Sequence, residues 1–150
     1  MPFTPLLSPR ALALSAIVAL GLGTAALAQG DPPAAALPGV TQSNLVRAVL
    51  AEFPGTDVIS FNGEFAPSAS SGRHRHPGTE VLHVISGTGV LLQDGRDPIQ
   101  LAPGVSVIGE PATKGGSFTH EVRNLSPSEP LRTLIVLLVD TGEPPAIPGG

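Results

Sequence analysis

The chain has 150 residues with a formal charge of −4, eight Lys+Arg against twelve Asp+Glu, and no cysteine. It holds no Trp or Tyr and only five Phe. The negative sign disfavours nucleic acid and anionic membrane surfaces as partners, the lack of aromatic residues removes base-stacking platforms, and disulfides are excluded. Gly is 18 and Pro is 17 of the residues, a surplus of turn formers that argues for many short strands.

From the N-terminus, Arg10 is the only charge before Asp31, and Ala11 to Leu22 runs apolar with Ser15 as its only hydroxyl. Ala26-Leu27-Ala28 supplies the small-x-small site of a signal peptidase. Residues 1–28 therefore read as a cleaved export signal, with a mature chain starting at Gln29 in the periplasm or outside the cell. The rival reading is a retained anchor, for which the 18 residues Ala11–Ala28 sit at the short end of a bilayer span. No twin-Arg pair is present. Without Arg10 the mature chain keeps seven Lys+Arg against twelve Asp+Glu, a formal charge of −5. No stable membrane association is expected after cleavage.

Residues 29–56 read as a leader and arm. Asp31–Gly39 is rich in Pro and Ala. Around Thr41–Glu52, Leu45, Val46, Val49 and Leu50 have mixed helical spacing, equally compatible with an arm pairing on a sheet edge. Residues 57–140 read as one all-β domain, with strands expected near Asp57–Phe65, Glu80–Ser86, Val90–Gln93, Pro98–Leu101, Val105–Ile108, Ser117–Asn124 and Leu131–Val139. Asp94-Gly95 is a strong hairpin signal. The last strand, with Leu131, Leu134, Ile135, Val136, Leu137, Leu138 and Val139, is apolar enough to suit burial on both faces. Residues 141–150, with their prolines, read as a fraying tail. There is no internal repeat and no second domain. About 100 residues suffice for one core; sheet packing, a metal and a homodimer are the available sources of stability.

The chemistry concentrates in Gly72-Arg73-His74-Arg75-His76-Pro77-Gly78-Thr79-Glu80 and in His120, three of the chain's four histidines. Strand alternation puts His74 and His76 on one face, with Cα atoms roughly 6.5–7 Å apart. Two imidazoles leaning together share an ion at about 2.0–2.1 Å per bond. Pro77-Gly78 turns the chain, and the even step from His76 to Glu80 returns Glu80 to the same face. Arg73 and Arg75 fall opposite, at a rim that attracts an anion or simply aids solubility. The expected metal ligands are His74, His76, Glu80 and His120. The plain alternative is a solvated loop with two chance histidines.

The run His74-x-His76-x3-Glu80-x6-Gly87 resembles the first motif of the cupin superfamily, and His120-x3-Asn124, preceded by Pro103-Gly104, resembles the end of its second. The resemblance covers about Val58 to Asp140 and departs from the usual pattern between Gly104 and His120, where Pro111–Gly116 looks like a lengthened loop. It implies an all-β double-stranded β-helix, or jelly-roll, barrel. It also implies a range of roles: dioxygenases, decarboxylases, isomerases and non-catalytic binders.

Three imidazoles and a carboxylate suit one divalent transition metal, Fe, Mn, Ni, Cu or Zn. An octahedral site would keep two positions open. Leu82, Val84, Phe118 and Val122 alternate with the ligands and are expected to line an apolar pocket for a small-molecule substrate or ligand. Glu64 and Glu110 are candidate general bases, each weighed against a surface role, and no residue is assigned to catalysis itself. His83, of odd parity, should face away from the metal and pack between sheets or at a subunit interface. Glu121 should be solvated, and Asn124 is placed to orient a loop. The leading expectation is an exported metal-dependent oxidoreductase of the dioxygenase type. The alternatives are a non-catalytic small-ligand-binding or sensory metallo-protein and a barrel with an empty site.

Overall fold

The computed structural model describes residues 37, 39–109, 111–113, 116–117 and 119–149. Residues 1–28, read above as an export signal, Glu110 and Phe118 lie outside these residues. The described chain is all β. Its strands are β1 (Val40–Val49), β2 (Thr56–Phe65), β3 (His74–Arg75), β4 (Thr79–Ser86), β5 (Gly89–Gln93), β6 (Ile99–Leu101), β7 (Ser106–Gly109), β8 (Pro111–Thr113), β9 (Gly116–Ser117), β10 (His120–Asn124), β11 (Leu131–Asp140) and β12 (Ile147–Pro148). Two five-stranded antiparallel sheets carry the architecture, ordered β1-β2-β11-β4-β7 and β12-β3-β10-β5-β6, with β8-β9 as a separate hairpin. This is the double-sheet jelly roll that the resemblance implies.

The core lies between the sheets and follows strand parity. Ile59, Phe61 and Phe65 of β2, Leu82 and Val84 of β4, Val122 of β10 and Leu131, Ile135, Leu137 and Val139 of β11 form one buried cluster. Fully burying one such side chain contributes about 1.5–3 kcal/mol, so this cluster holds the two sheets face to face. Gly87 turns the chain between β4 and β5 with φ +86°. An added Cβ there would meet the Pro130 carbonyl at 2.5 Å, so only glycine allows the close approach.

One open alternative is settled and three expectations change. The arm at Thr41–Glu52 is a strand: β1 pairs with β2 along its length, with a bulge between Ser43 and Val46. Asn44 sits there in a left-handed conformation, φ 55°, and this interruption of the period-2 alternation is what imitates helical spacing in the sequence. The stretch Ser117–Asn124 is broken, with Ser117 in the β8–β9 hairpin and β10 starting at His120. β11 is buried on one face only. It lies between β2 and β4, but Leu134 and Leu138 on its outer face are 37% and 40% exposed. The tail does not fray: Ile147 and Pro148 pair with Arg75 and His74 as β12, closing the edge of the second sheet.

Candidate metal centre

The centre is assembled at one end of the sandwich from both sheets. β3 contributes His74, and His76 follows it on the same side; both are buried, whereas Arg73 points to solvent and pairs with Asp94 at 2.7 Å. Ser71 steadies the approach to β3. Its hydroxyl donates to the Gly72 carbonyl at 3.0 Å and accepts from the Val122 amide at 3.0 Å. Gly78 then lets the turn press on β11. A Cβ at that position would lie 1.9 Å from the Leu138 carbonyl oxygen, so no other residue fits without a backbone shift. The turn delivers Glu80 to the inner face of β4, in the opposite sheet, in line with Leu82 and Val84.

His120 opens β10 directly across the ladder from His74. Antiparallel partners place their side chains on the same face, and this register brings the distant histidine to the first two. Ring centroids are 5.0 Å apart for His74–His76, 4.4 Å for His74–His120 and 5.0 Å for His76–His120. One donor atom from each of the three lies within 4.8 Å of the other two. The Glu80 carboxylate sits on the His76–His120 side, with Oε1 3.4 Å from His76 Nε2 and Oε2 3.5 Å from His120 Nε2.

Backbone carbonyls orient two of the rings. His74 Nδ1 donates to the Gly72 carbonyl at 3.0 Å and His76 Nδ1 to the Pro145 carbonyl at 2.5 Å. A hydrogen bond at Nδ1 fixes the tautomer and leaves Nε2 as the basic nitrogen available to a metal.

Burial, reinforced by the neighbouring His120, holds His74 neutral, with its pKa down to about 4. Burial also acts against a proton on His76, but the Glu80 charge and hydrogen bond overcome it, and its pKa is raised. Burial alone would raise Glu80; His76 first, then His120 and His74, bring it down to about 2. The centre is therefore a buried carboxylate facing imidazoles, of which His74 is held neutral. A buried anion beside neutral nitrogen donors is the environment that a divalent cation satisfies, and the donor set fits such a metal. The residues that would hold it are His74, His76, His120 and Glu80.

A cavity beside the ligands is walled mainly by apolar side chains, including Phe61, Phe65, Leu82, Val122 and Ile135, with the Gln42 amide and Ser71 as its other polar side chains. Leu82 and Val122 stand where the sequence places them. Val84 does not line the cavity. It shares the inner face of β4 but sits two residues deeper, fully buried in the core cluster. His83 faces away from the centre, yet it is not between the sheets; it lies on the outer face of β4 and shares a 2.8 Å hydrogen bond with Ser106. Glu64 is an exposed outer residue bonded to Arg132 at 2.8 Å, remote in role from any general base. Glu121 is largely covered, with Ser70 and Arg123 as its partners. Asn124 is a buried loop organiser. Its amide donates to the carbonyls of Phe65, Ala66 and Glu129 and accepts from the Ser126 amide.

The sequence reading missed the contributions of β1 and the C-terminal segment. Val40 and Gln42 line the cavity from the arm, and Pro145 and Ala146 from the tail. Only the long-range pairings of β1 and β12 reveal them.

A family model described as a cupin domain matches residues 62–137. No curated protein matches the chain. Among solved structures, a cupin-like protein from Thermotoga maritima aligns with TM-score 0.53 at 22% identity, over 74% of this chain and 76% of its own. The polyketide cyclase RemF from Streptomyces resistomycificus aligns with TM-score 0.51 at 17% identity, over 75% and 73%. The DMSP lyase DddQ from Ruegeria pomeroyi aligns with TM-score 0.50 at 20% identity over 61% of this chain, and the chain spans only 42% of that lyase's length. These likenesses show the fold. Together with the family match across both sheets and all four candidate ligands, they establish that the chain belongs to the cupin superfamily.

Proposed function

We propose that this protein is an exported cupin that binds one divalent transition metal through His74, His76, His120 and Glu80 and acts as a metal-dependent oxidoreductase of the dioxygenase type on a small organic substrate. The observation that carries the metal is the convergence of three buried imidazoles, with donor atoms within 4.8 Å, beside the Glu80 carboxylate. When bound, such a metal supplies open coordination positions and Lewis-acid polarisation of a substrate oxygen. The chain's own residues do the rest. Gly72 and Pro145 hold two rings in register, Glu80 lowers the net charge of the site, and the apolar walls exclude water and accept the body of the ligand.

The cavity supports chemistry centred on the metal. Its described lining has no acid or base beyond the ligand set, only Gln42 and Ser71, and the Ser71 hydroxyl is already engaged with backbone groups. Reactions that need a separate protein base have no obvious performer there. The same shortage favours the second reading, a small-ligand-binding or sensory metallo-cupin without turnover.

Elemental analysis of the purified protein, followed by oxygen uptake with a panel of enediol-like and flavonol substrates, separates the readings. Stoichiometric metal with substrate-dependent oxygen uptake supports the dioxygenase. Metal and ligand binding with no uptake favours the binder. No metal at all rejects both. Export is read from the N-terminus of the mature protein, which should begin at Gln29; intact residues 1–28 would contradict it.

A further inference from the structure

The cavity beside the ligands is nearly full. It offers about 20 Å³ to the centre of a water-sized sphere, room for an ion or a single water and too little for an organic molecule. Any organic ligand therefore requires a wall to move. Most of the wall is β-strand whose side chains belong to the buried core. Among the described residues, the apolar wall outside the strands comes from Leu37, ahead of β1, and from the C-terminal segment, which contributes Pro145 and Ala146 and lies against His76.

We infer that residues 141–149 are a strap that swings off the cavity to admit a small organic ligand and that, when seated, positions His76 through the Pro145 carbonyl; this rests on the metal-binding reading above. The strap is anchored at both ends and lightly held between them. At its base the Thr141 amide donates to the Gly55 carbonyl at 2.9 Å, and the Thr141 hydroxyl to Asp57 at 2.8 Å. Arg47 joins this clasp, with Nε 2.7 Å from Asp57 Oδ2 and Nη2 donating to the Glu143 carbonyl at 3.1 Å. At the far end Ile147 and Pro148 pair with β3, and the Gly149 amide donates to the Arg73 carbonyl at 2.8 Å. Between these anchors stand Pro144 and Pro145, which have no N–H to give. The middle is tied to the site by the bond from His76 to the Pro145 carbonyl. Gly142, at φ +89°, supplies a hinge next to the base.

This arrangement couples entry to the metal. Lifting the strap uncovers the cavity and at the same stroke removes the acceptor that fixes the His76 tautomer. Pro145 is a positioning residue, acting on the metal only through His76. The walls that remain are mainly apolar, with Gln42 and Ser71 as the polar side chains beside the ligand set, so the ligand class is a small organic molecule with an apolar body and one donor atom for the metal.

Co2+ is the probe, in the full chain, in Arg47→Ala, which removes the bonds to Asp57 and to the Glu143 carbonyl, and in a chain lacking residues 143–150. In the Co2+-loaded proteins, Arg47→Ala should speed entry of 4-phenylimidazole by at least about tenfold and leave azide unchanged, because only the larger probe needs the strap open. The shortened chain should accelerate it further and shift the visible spectrum of the bound Co2+, since His76 loses its partner. Equal entry of 4-phenylimidazole in the full chain and Arg47→Ala overturns the strap, and an unshifted spectrum in a folded shortened chain overturns the positioning role. A full chain that takes up no Co2+ overturns the metal reading alone. The strap is then judged by hydrogen exchange of the metal-free protein. Arg47→Ala should speed exchange of the Gly149 amide about tenfold with the Val122 amide unchanged; identical exchange at Gly149 overturns it.

Discussion

His120 lies directly opposite His74 on adjacent antiparallel strands, with ring centroids 4.4 Å apart. One backbone register thus joins two parts of the candidate centre; His76, just past β3, and Glu80, on β4 of the facing sheet, complete it. If the three rings act as one donor set, removing any of them should affect the same property. His74→Ala, His76→Ala and His120→Ala should each weaken binding of a divalent transition metal by more than about 100-fold, exceeding the effect typical of outer partners. His83→Ala is the control, since His83 points out of β4 toward Ser106. Calorimetric titration measures all four; metal retained in His120→Ala at full affinity would remove β10 from the site.

The metal-free centre should make the protein acid-labile. Burial, and then His120, hold His74 at about 4 in the folded chain against 6.5 unfolded. Below 6.5 the unfolded chain binds a proton that the folded chain refuses, so stability falls as pH drops from 6.5 toward 4, by an amount on the order of 3 kcal/mol. Glu80 extends the loss. Its folded pKa near 2, against 4.5, gives stability that is present above 4.5 and disappears as pH falls through about 2. His76 has the opposite sign, because its raised pKa stabilises fully below 6.5 and its contribution fades as pH rises through the folded value. Urea midpoints of chelator-treated protein between pH 6.5 and 4 test this balance; a midpoint that does not move, in the wild type and in His74→Asn alike, would contradict it.

The parts of the fold visible in the sequence are those governed by local rules. The alternation of Ile59, Phe61 and Phe65, the Asp94-Gly95 turn and the parity of His74, His76 and Glu80 depend on strand geometry alone, and each stands as that geometry requires. What stayed hidden depends on pairing between distant segments. β1 was ambiguous because the bulge at Asn44 breaks its period. β12 was read as a fraying tail because two residues, one of them proline, carry no periodic signal, and their place is set by the open edge of β3. Val84 shows the limit of parity itself: alternation gives the face of a side chain but not its depth along the barrel.

Gly78 makes the link between site geometry and stability measurable. Because its absent Cβ would sit 1.9 Å from a backbone oxygen of β11, Gly78→Ala must move either the turn or Leu138. The variant should lose about 2–4 kcal/mol and also bind metal more weakly, since the displaced turn carries His76 on one side and Glu80 on the other. Gly95→Ala is the comparison. Its φ is +70°, whereas that of Gly78 is not positive, and its added Cβ would meet nothing within 4 Å, so it should lose only about 1 kcal/mol with metal affinity intact. Equal losses in the two variants would show that steric approach at Gly78 is unimportant.

Asn124 separates folding from function in the same strand that carries His120. Its side chain lies at the other end of β10, where it bridges the end of β2 at Phe65 and Ala66 to the loop at Ser126 and Glu129. Asn124→Ala takes the donor from three backbone carbonyls, that of Phe65 in a buried bond, and a buried group left unpaired costs about 1–3 kcal/mol. The variant should therefore lose about 2–4 kcal/mol in urea unfolding while its folded fraction binds metal as tightly as the wild type. Asn124→Asp should be no better, because a carboxylate cannot donate to three carbonyls and its charge would be buried without a cation. A fall in metal affinity in folded Asn124→Ala would mean that the loop end of β10 communicates with the histidine end, and that the rigidity of the strand, beyond its register, sets the geometry of the centre.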